Sequence, residues 1–160
     1  MKILALDPAT HCGWCLWDGT QYLSGTWDLS VRRDESGGMR LVRFRGKLAE
    51  VFRECAPIDA VVFEAARNGN PKMQGALVVQ SELQGVLKLF CEQAPVEYRG
   101  YSPSEIKRHA TGKGNANKLT MLAAARAKWA GYAFADDNEA DARWLCNLAR
   151  QELHPPLEAF

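Results

Sequence analysis

The sequence predicts an α/β fold, a mixed five-stranded sheet with helices on both faces, in a single domain over residues 1–160. Three observations predict it. Two short apolar runs, residues 2–6 (KILAL) and 59–63 (DAVVF), read as buried strands, and each runs straight into a carboxylate, Asp7 and Glu64. The first run is followed by a hairpin pattern, which gives antiparallel pairing. Beyond it, helical and extended segments alternate, which gives crossover connections and parallel pairing.

In chain order, the strand at 2–6 is followed by strands at 13–17 and 22–28, joined by Asp18-Gly19-Thr20, whose Asp-Gly pair suits a tight turn. Residues 34–38 (DESGG) form a loop. Leu41, Phe44, Leu48, Val51 and Phe52 recur at helical spacing over 39–55, with Arg40, Arg43, Arg45 and Lys47 mostly off the apolar face. After the strand at 59–63 and a loop, a long helix with a mostly apolar surface spans 73–91, and 96–101 is a strand. Ser102-Pro103-Ser104 caps a short helix, 111–117 is a Gly-rich loop, and 118–129 is an alanine-rich helix. A last helix runs from about 137 to 152 and ends before His154-Pro155-Pro156.

The composition, 47% hydrophobic and 24% charged over 160 residues, is that of a globular protein able to bury a core. No run approaches the roughly 18 apolar residues of a membrane span, and the N-terminus has no signal-peptide pattern, so a cytoplasmic location without a membrane partner is expected. The cysteines are odd in number and read as reduced thiols. Cys12 and Cys15 have C-x-x-C spacing but lie in a strand and lack the second pair a zinc site needs, so they read as structural. The five tryptophans read as core. Net charge is only +1, yet seven Lys or Arg residues against Glu105 lie between Arg99 and Lys128, and acids dominate from Asp136 onward. Such a layout suits an element gripping a polyanion beside one holding cations, or else two solvated helix faces.

If the two apolar strands are neighbours, Asp7 and Glu64 meet at one sheet end, where ligands of α/β sheets gather. A third source of acid is DDNEADARWL, residues 136–145, where Asp137 and Asp141 share a helix face and repel unless a cation compensates. Helix capping is the competing reading: Asp136 with Glu139 has capping-box spacing, and Asp137 is an alternative N-cap. Asp141 sits a turn inside the helix beside Ala140, Ala142 and Leu145, and capping does not explain it. Such hard oxygen donors suit Mg2+, with Mn2+ as substitute. Two ions about 4 Å apart activate water and stabilise the leaving oxygen in phosphodiester hydrolysis. Gly112-Lys113-Gly114-Asn115 lacks the Walker pattern, which speaks against a nucleotide cofactor; it reads as a phosphate contact or a plain turn. His109 reads as a surface histidine, with a phosphate contact the alternative.

The opening ALDPATHCGW, the strand end VVFE, the segment SPSEIKRHATGKGNANK and the final NEADA, in that order, resemble the RuvC-type Holliday-junction resolvases, particularly their phage-type relatives. The resemblance covers nearly the whole chain. It implies a ribonuclease-H-like fold and Mg2+-dependent, structure-selective cleavage of branched DNA, usually by a homodimer. Asp7 and Glu64 match the strand carboxylates, Asp141 the final-helix aspartate, and Lys107 and Lys118 the basic residues near the scissile phosphate. The position three before the last aspartate, an acid or histidine in the family, is Asn138 here. Asp137 is taken as its substitute, with Asp136 and Glu139 the alternatives. The loop the family inserts at the junction centre corresponds to residues 65–71, which hold no aromatic residue. Lys107, Arg108, Lys113 and Lys118, with Arg67 and Asn68 in that loop, are the expected DNA contacts. The competing expectations are a nuclease for RNA or RNA/DNA hybrids and a non-catalytic nucleic-acid-binding module. An actin-like nucleotide-binding domain shares the Asp-rich hairpin but needs a second half for which 160 residues are too few.

Overall fold

Strands β1 (Ile3–Asp7), β2 (His11–Trp17), β3 (Tyr22–Asp28), β4 (Ala60–Glu64) and β5 (Glu97–Tyr101) form one sheet in the order β3-β2-β1-β4-β5. This computed structural model describes residues 1–66 and 74–153. The β1–β2 and β2–β3 pairs are antiparallel; β4 is parallel to both β1 and β5. The β2–β3 turn is held by Asp18, whose Oδ1 accepts from the Thr20 and Gln21 amides, each at 2.8 Å, while Gly19 takes φ 107°.

β1 and β4 each lie one residue later than the apolar pattern predicts and β2 begins two residues earlier, because the ladder continues past the apolar runs; β3 falls as predicted and β5 begins one residue later. Asp7 still pairs with Gly13, and His11 with Asp28. Asp7 and Glu64 are thus the last residues of their strands rather than the first residues of loops.

Alternation along the strands sorts the side chains onto two faces. Leu4, Leu6, Val61 and Phe63 pack on α1 (Gly38–Cys55) and α2 (Gln74–Gln93) through Phe44, Leu48, Leu83 and Leu87. Ile3, Ala5 and Val62 face α3 (Pro103–Thr111), α4 (Lys118–Lys128) and α5 (Asp137–Leu153), against residues such as Ile106, Met121, Leu145 and Cys146. The predicted helices on both faces are therefore observed. Cys12 falls in the first core and Cys15 in the second, both free thiols whose ionisation burial pushes up, so this C-x-x-C is no redox pair. Trp17, Trp27 and Trp144 are buried, and Trp14 and Trp129 pack partly buried against the two cores. Among the described residues no helix is long and apolar enough to cross a membrane.

Local chemistry fixes the helix ends near the sheet's C-terminal edge. Ser102 and Glu105 form a capping box at α3, Pro103 occupies its first turn, and Gly112 closes it at φ 78°. Asn117 caps α4, its Oδ1 accepting from the Thr120 amide at 2.9 Å.

Candidate active site

Leu6 lies opposite Phe63 in the parallel β1–β4 ladder, so Asp7 and Glu64 follow at the same end of adjacent strands. Asp7 has the parity of Ile3 and Ala5, and Glu64 that of Val62, which turns both toward the α5 face.

The helix reaches them because of Gly13. A Cβ there would stand 2.0 Å from the Asn138 carbonyl oxygen, 2.6 Å from its carbon and 3.2 Å from the Ala142 Cβ. Lacking one, β2 lets the first turn of α5 lie directly on the strand, at the residue paired with Asp7. Asp137 and Asp141 are thereby carried to the strand ends. Gly13 escaped the sequence reading, which took it as the first residue of its strand; in the structure it lies two residues inside β2, where a glycine marks such close approach. Gln84 escaped it too. It is only 7% exposed on α2, and its Nε2 donates to the Glu64 backbone carbonyl at 2.9 Å, tying the end of β4 to the opposite helix layer.

The acids feel one another. Asp7 is pushed up to about 7, chiefly by burial, then by the charges of Glu64 and Asp137, with Lys118 opposing. Asp141 is also pushed up to about 7, by burial and then by Asp7 and Asp137, with Lys118 and Lys107 opposing. Asp137 is held below the usual carboxylate range by Lys118, whose Nζ donates to its Oδ2 at 2.5 Å; the same bond raises the lysine. Asp7, Glu64, Asp137, Asp141 and Lys118 thus form one electrostatic group.

The other two acids of the segment work differently. Asp136 is the residue before α5, and its Oδ1 accepts from the Glu139 amide at 2.9 Å and from Thr26 Oγ1 at 2.7 Å. Glu139, 2% exposed, turns toward β3 and accepts from Ser24 Oγ at 2.8 Å, Tyr132 Oη at 2.6 Å and the Ala135 amide at 2.7 Å. It reaches back one residue beyond the N-cap, so the predicted capping box forms in its Asp136 half only. Replacing Asp136 with Ala is expected to cost about 1 to 2 kcal/mol of stability. Asp137→Ala should leave the helix end intact; a urea titration of both variants without divalent cations separates them, and an equal loss would erase the distinction.

Lys107 lies on α3 near enough to oppose the shift of Asp141, and Lys118 opens α4. Arg108 and Lys113 are exposed nearby. The expected surface role of His109 is corrected: the ring is half-buried, its Nε2 is 2.9 Å from Asn147 Oδ1, and it meets Trp144 edge-on at 5.8 Å, joining α3 to α5. Arg67 and Asn68 lie outside the described residues.

Among the described residues no three acidic, histidine or cysteine side chains close into a ready-made ion cage. The donor set nonetheless fits a hard divalent cation: carboxylates at two strand ends and on one helix face, two of them pushed toward protonation by burial first and by their acidic neighbours second.

No protein-family profile matches the chain. A crossover junction endodeoxyribonuclease RuvC of Sphingopyxis alaskensis is 31% identical over 147 residues, covering 89% of this chain and 92% of the relative. Its counterpart in Anaeromyxobacter sp. strain Fw109-5 is 30% identical over 158 residues, 94% of this chain and 74% of the relative. Thermus thermophilus RuvC in complex with a Holliday junction substrate superposes with a TM-score of 0.77 at 19% identity, over 96% of this chain and 94% of that one. The yeast mitochondrial Holliday junction resolvase does so with a TM-score of 0.57 at 10% identity, over 96% and 81%. These structural likenesses carry the ribonuclease-H-like fold. With the two curated relatives beside them, the chain belongs to the RuvC family of crossover junction endodeoxyribonucleases.

Proposed function

We infer that this chain is a metal-dependent, structure-selective endonuclease that hydrolyses phosphodiesters in branched DNA such as four-way junctions. The observation that carries the reading is the meeting of Asp7, Glu64, Asp137 and Asp141 where β1, β4 and α5 converge, in a chain of this family. Those four hold the metal in this reading, Mg2+ with Mn2+ as substitute, as two ions. When bound, such ions lower the pKa of water and stabilise charge on the phosphate oxygens. The protein's own part is to aim the carboxylates from rigid elements and to bring cations to the substrate. Lys107 and Lys118 meet the phosphate at the site, and Arg108 and Lys113 hold the neighbouring backbone. Arg67 and Asn68, which follow Glu64 closely in sequence, are assigned to the DNA on the same reading.

Two copies acting together suit a junction with two equivalent strands to cut. Supporting this, α2 exposes Val78 (52%) and Leu89 (60%) to solvent. Incubating the protein with four-way, Y-shaped and linear DNA, each with Mg2+ and with chelator, tests the function. Mg2+-dependent cutting of the four-way substrate well above the linear one is expected, and equal cutting of all three would overturn the reading. Sedimentation of the same preparation as a monomer would remove the dimer.

A further inference from the structure

We propose that Lys118 is the exchangeable counter-ion of the acid cluster: it occupies Asp137 in the metal-free protein and leaves it when a divalent cation binds. This rests on the reading of Asp7, Glu64, Asp137 and Asp141 as metal ligands. Lys118 is the first residue of α4, and its backbone is anchored by the Asn117 cap. Its side chain is 76% exposed, yet the ammonium reaches Asp137 Oδ2 at 2.5 Å; Asp137 itself is 32% exposed. An anchored backbone and a long, solvent-exposed stem let the ammonium swing about a fixed pivot. An exposed pair of this kind is weakly held and yields readily to a doubly charged ion. Beyond Asp137, the ammonium also acts on Asp7 and Asp141, so one lysine offsets the cluster that a metal would neutralise.

Two opposite couplings follow. Without DNA, Lys118 and the metal compete for Asp137. With DNA, a phosphate oxygen that takes the ammonium vacates Asp137, and phosphate and metal then assist each other, with equal effect in both directions. A permanent positioning bond behaves differently, because removing the lysine would then disorder Asp137 and weaken metal binding.

Calorimetric titration of Mn2+ into the DNA-free protein decides between them, using wild type, Lys118→Met, Asp137→Asn and the double variant at low salt. Lys118→Met should bind Mn2+ about twofold to fivefold more tightly. Asp137→Asn should bind it more weakly, and in that background Lys118→Met should tighten binding less than it does in wild type. Unchanged or weaker binding by Lys118→Met overturns the exchange; Lys118→Gln serves as the second variant if circular dichroism shows the first misfolded. Asp7→Asn separates the two layers of the argument. If it abolishes Mn2+ binding while the Lys118 variants bind like wild type, only the exchange fails; if it binds like wild type, the ligand reading fails with it.

Discussion

Asp7→Asn is expected to lower the cleavage rate on the order of 10³-fold while making the metal-free protein more stable at neutral pH. The two effects share one cause. In the fold the Asp7 carboxyl is pushed up to about 7 from an ordinary value of 3.8, first by burial and then by Glu64. A carboxyl raised on folding takes up a proton as the chain folds. Its contribution is therefore favourable at low pH and is lost as the pH rises from about 4 to about 7. Above that range the buried charge costs about 2 to 4 kcal/mol. Asparagine avoids the charge, so the variant should melt higher than wild type at pH 8 in chelator, and the gap should close near pH 4. Added Mg2+ should stabilise wild type more than the variant. A variant less stable than wild type at pH 8 in chelator would show that Asp7 is satisfied by the protein alone, and near-normal cleavage would remove it from the site. Asp141→Asn, with the same direction and burial leading its causes, should repeat the pattern.

Among the described residues, Gly13→Ala should be the most damaging glycine-to-alanine change. The clash is with backbone, at 2.0 Å from the Asn138 oxygen, so no side-chain rotation relieves it. Either β2 or α5 must move, and α5 is the helix whose residues Ala140 and Ala142 through Ala149 are all buried. A loss of about 3 kcal/mol or more is expected. Any variant that folds should still cleave about 100-fold more slowly, since a shift near 1 Å at the reacting centre costs that much. Gly46→Ala is the control: it lies inside α1 with nothing within 4 Å of the added Cβ, and should stabilise by about 0.5 to 1 kcal/mol. Denaturant midpoints of the two variants, read with single-turnover cleavage, make the comparison. Equal behaviour would mean that α5 does not depend on Gly13 for its seat.

Local rules made the strand carboxylates legible. An apolar run ending in Asp7 or Glu64 carries both its period and its end in a few residues, and the parity follows from the period. The helix acids were less legible, since which of Asp136, Asp137 and Glu139 faces β1 depends on how α5 is rotated on the sheet. That rotation is fixed by distant partners: Thr26 and Ser24 on β3, Tyr132, and the bare face of Gly13. His109 misled for the same reason, because its partner Asn147 is 38 positions away and no pattern near it announces the bond. Gln84 reads locally as a polar residue on an amphipathic helix; only the tertiary structure shows the Glu64 carbonyl above it.

The strand order has a consequence for synthesis. The first acid of the proposed site is residue 7, and the last, residue 141, lies on the helix that covers the inner strands. Loop closure across that separation must precede the contacts that reward it, which places assembly of the site late and makes it slow relative to local helix formation. A nascent chain that has emerged only through β5 already owns every strand of the sheet but neither acid of α5. On the proposed ligand set, the site cannot act before α5 has docked: the same helix that seals the sheet also arms it.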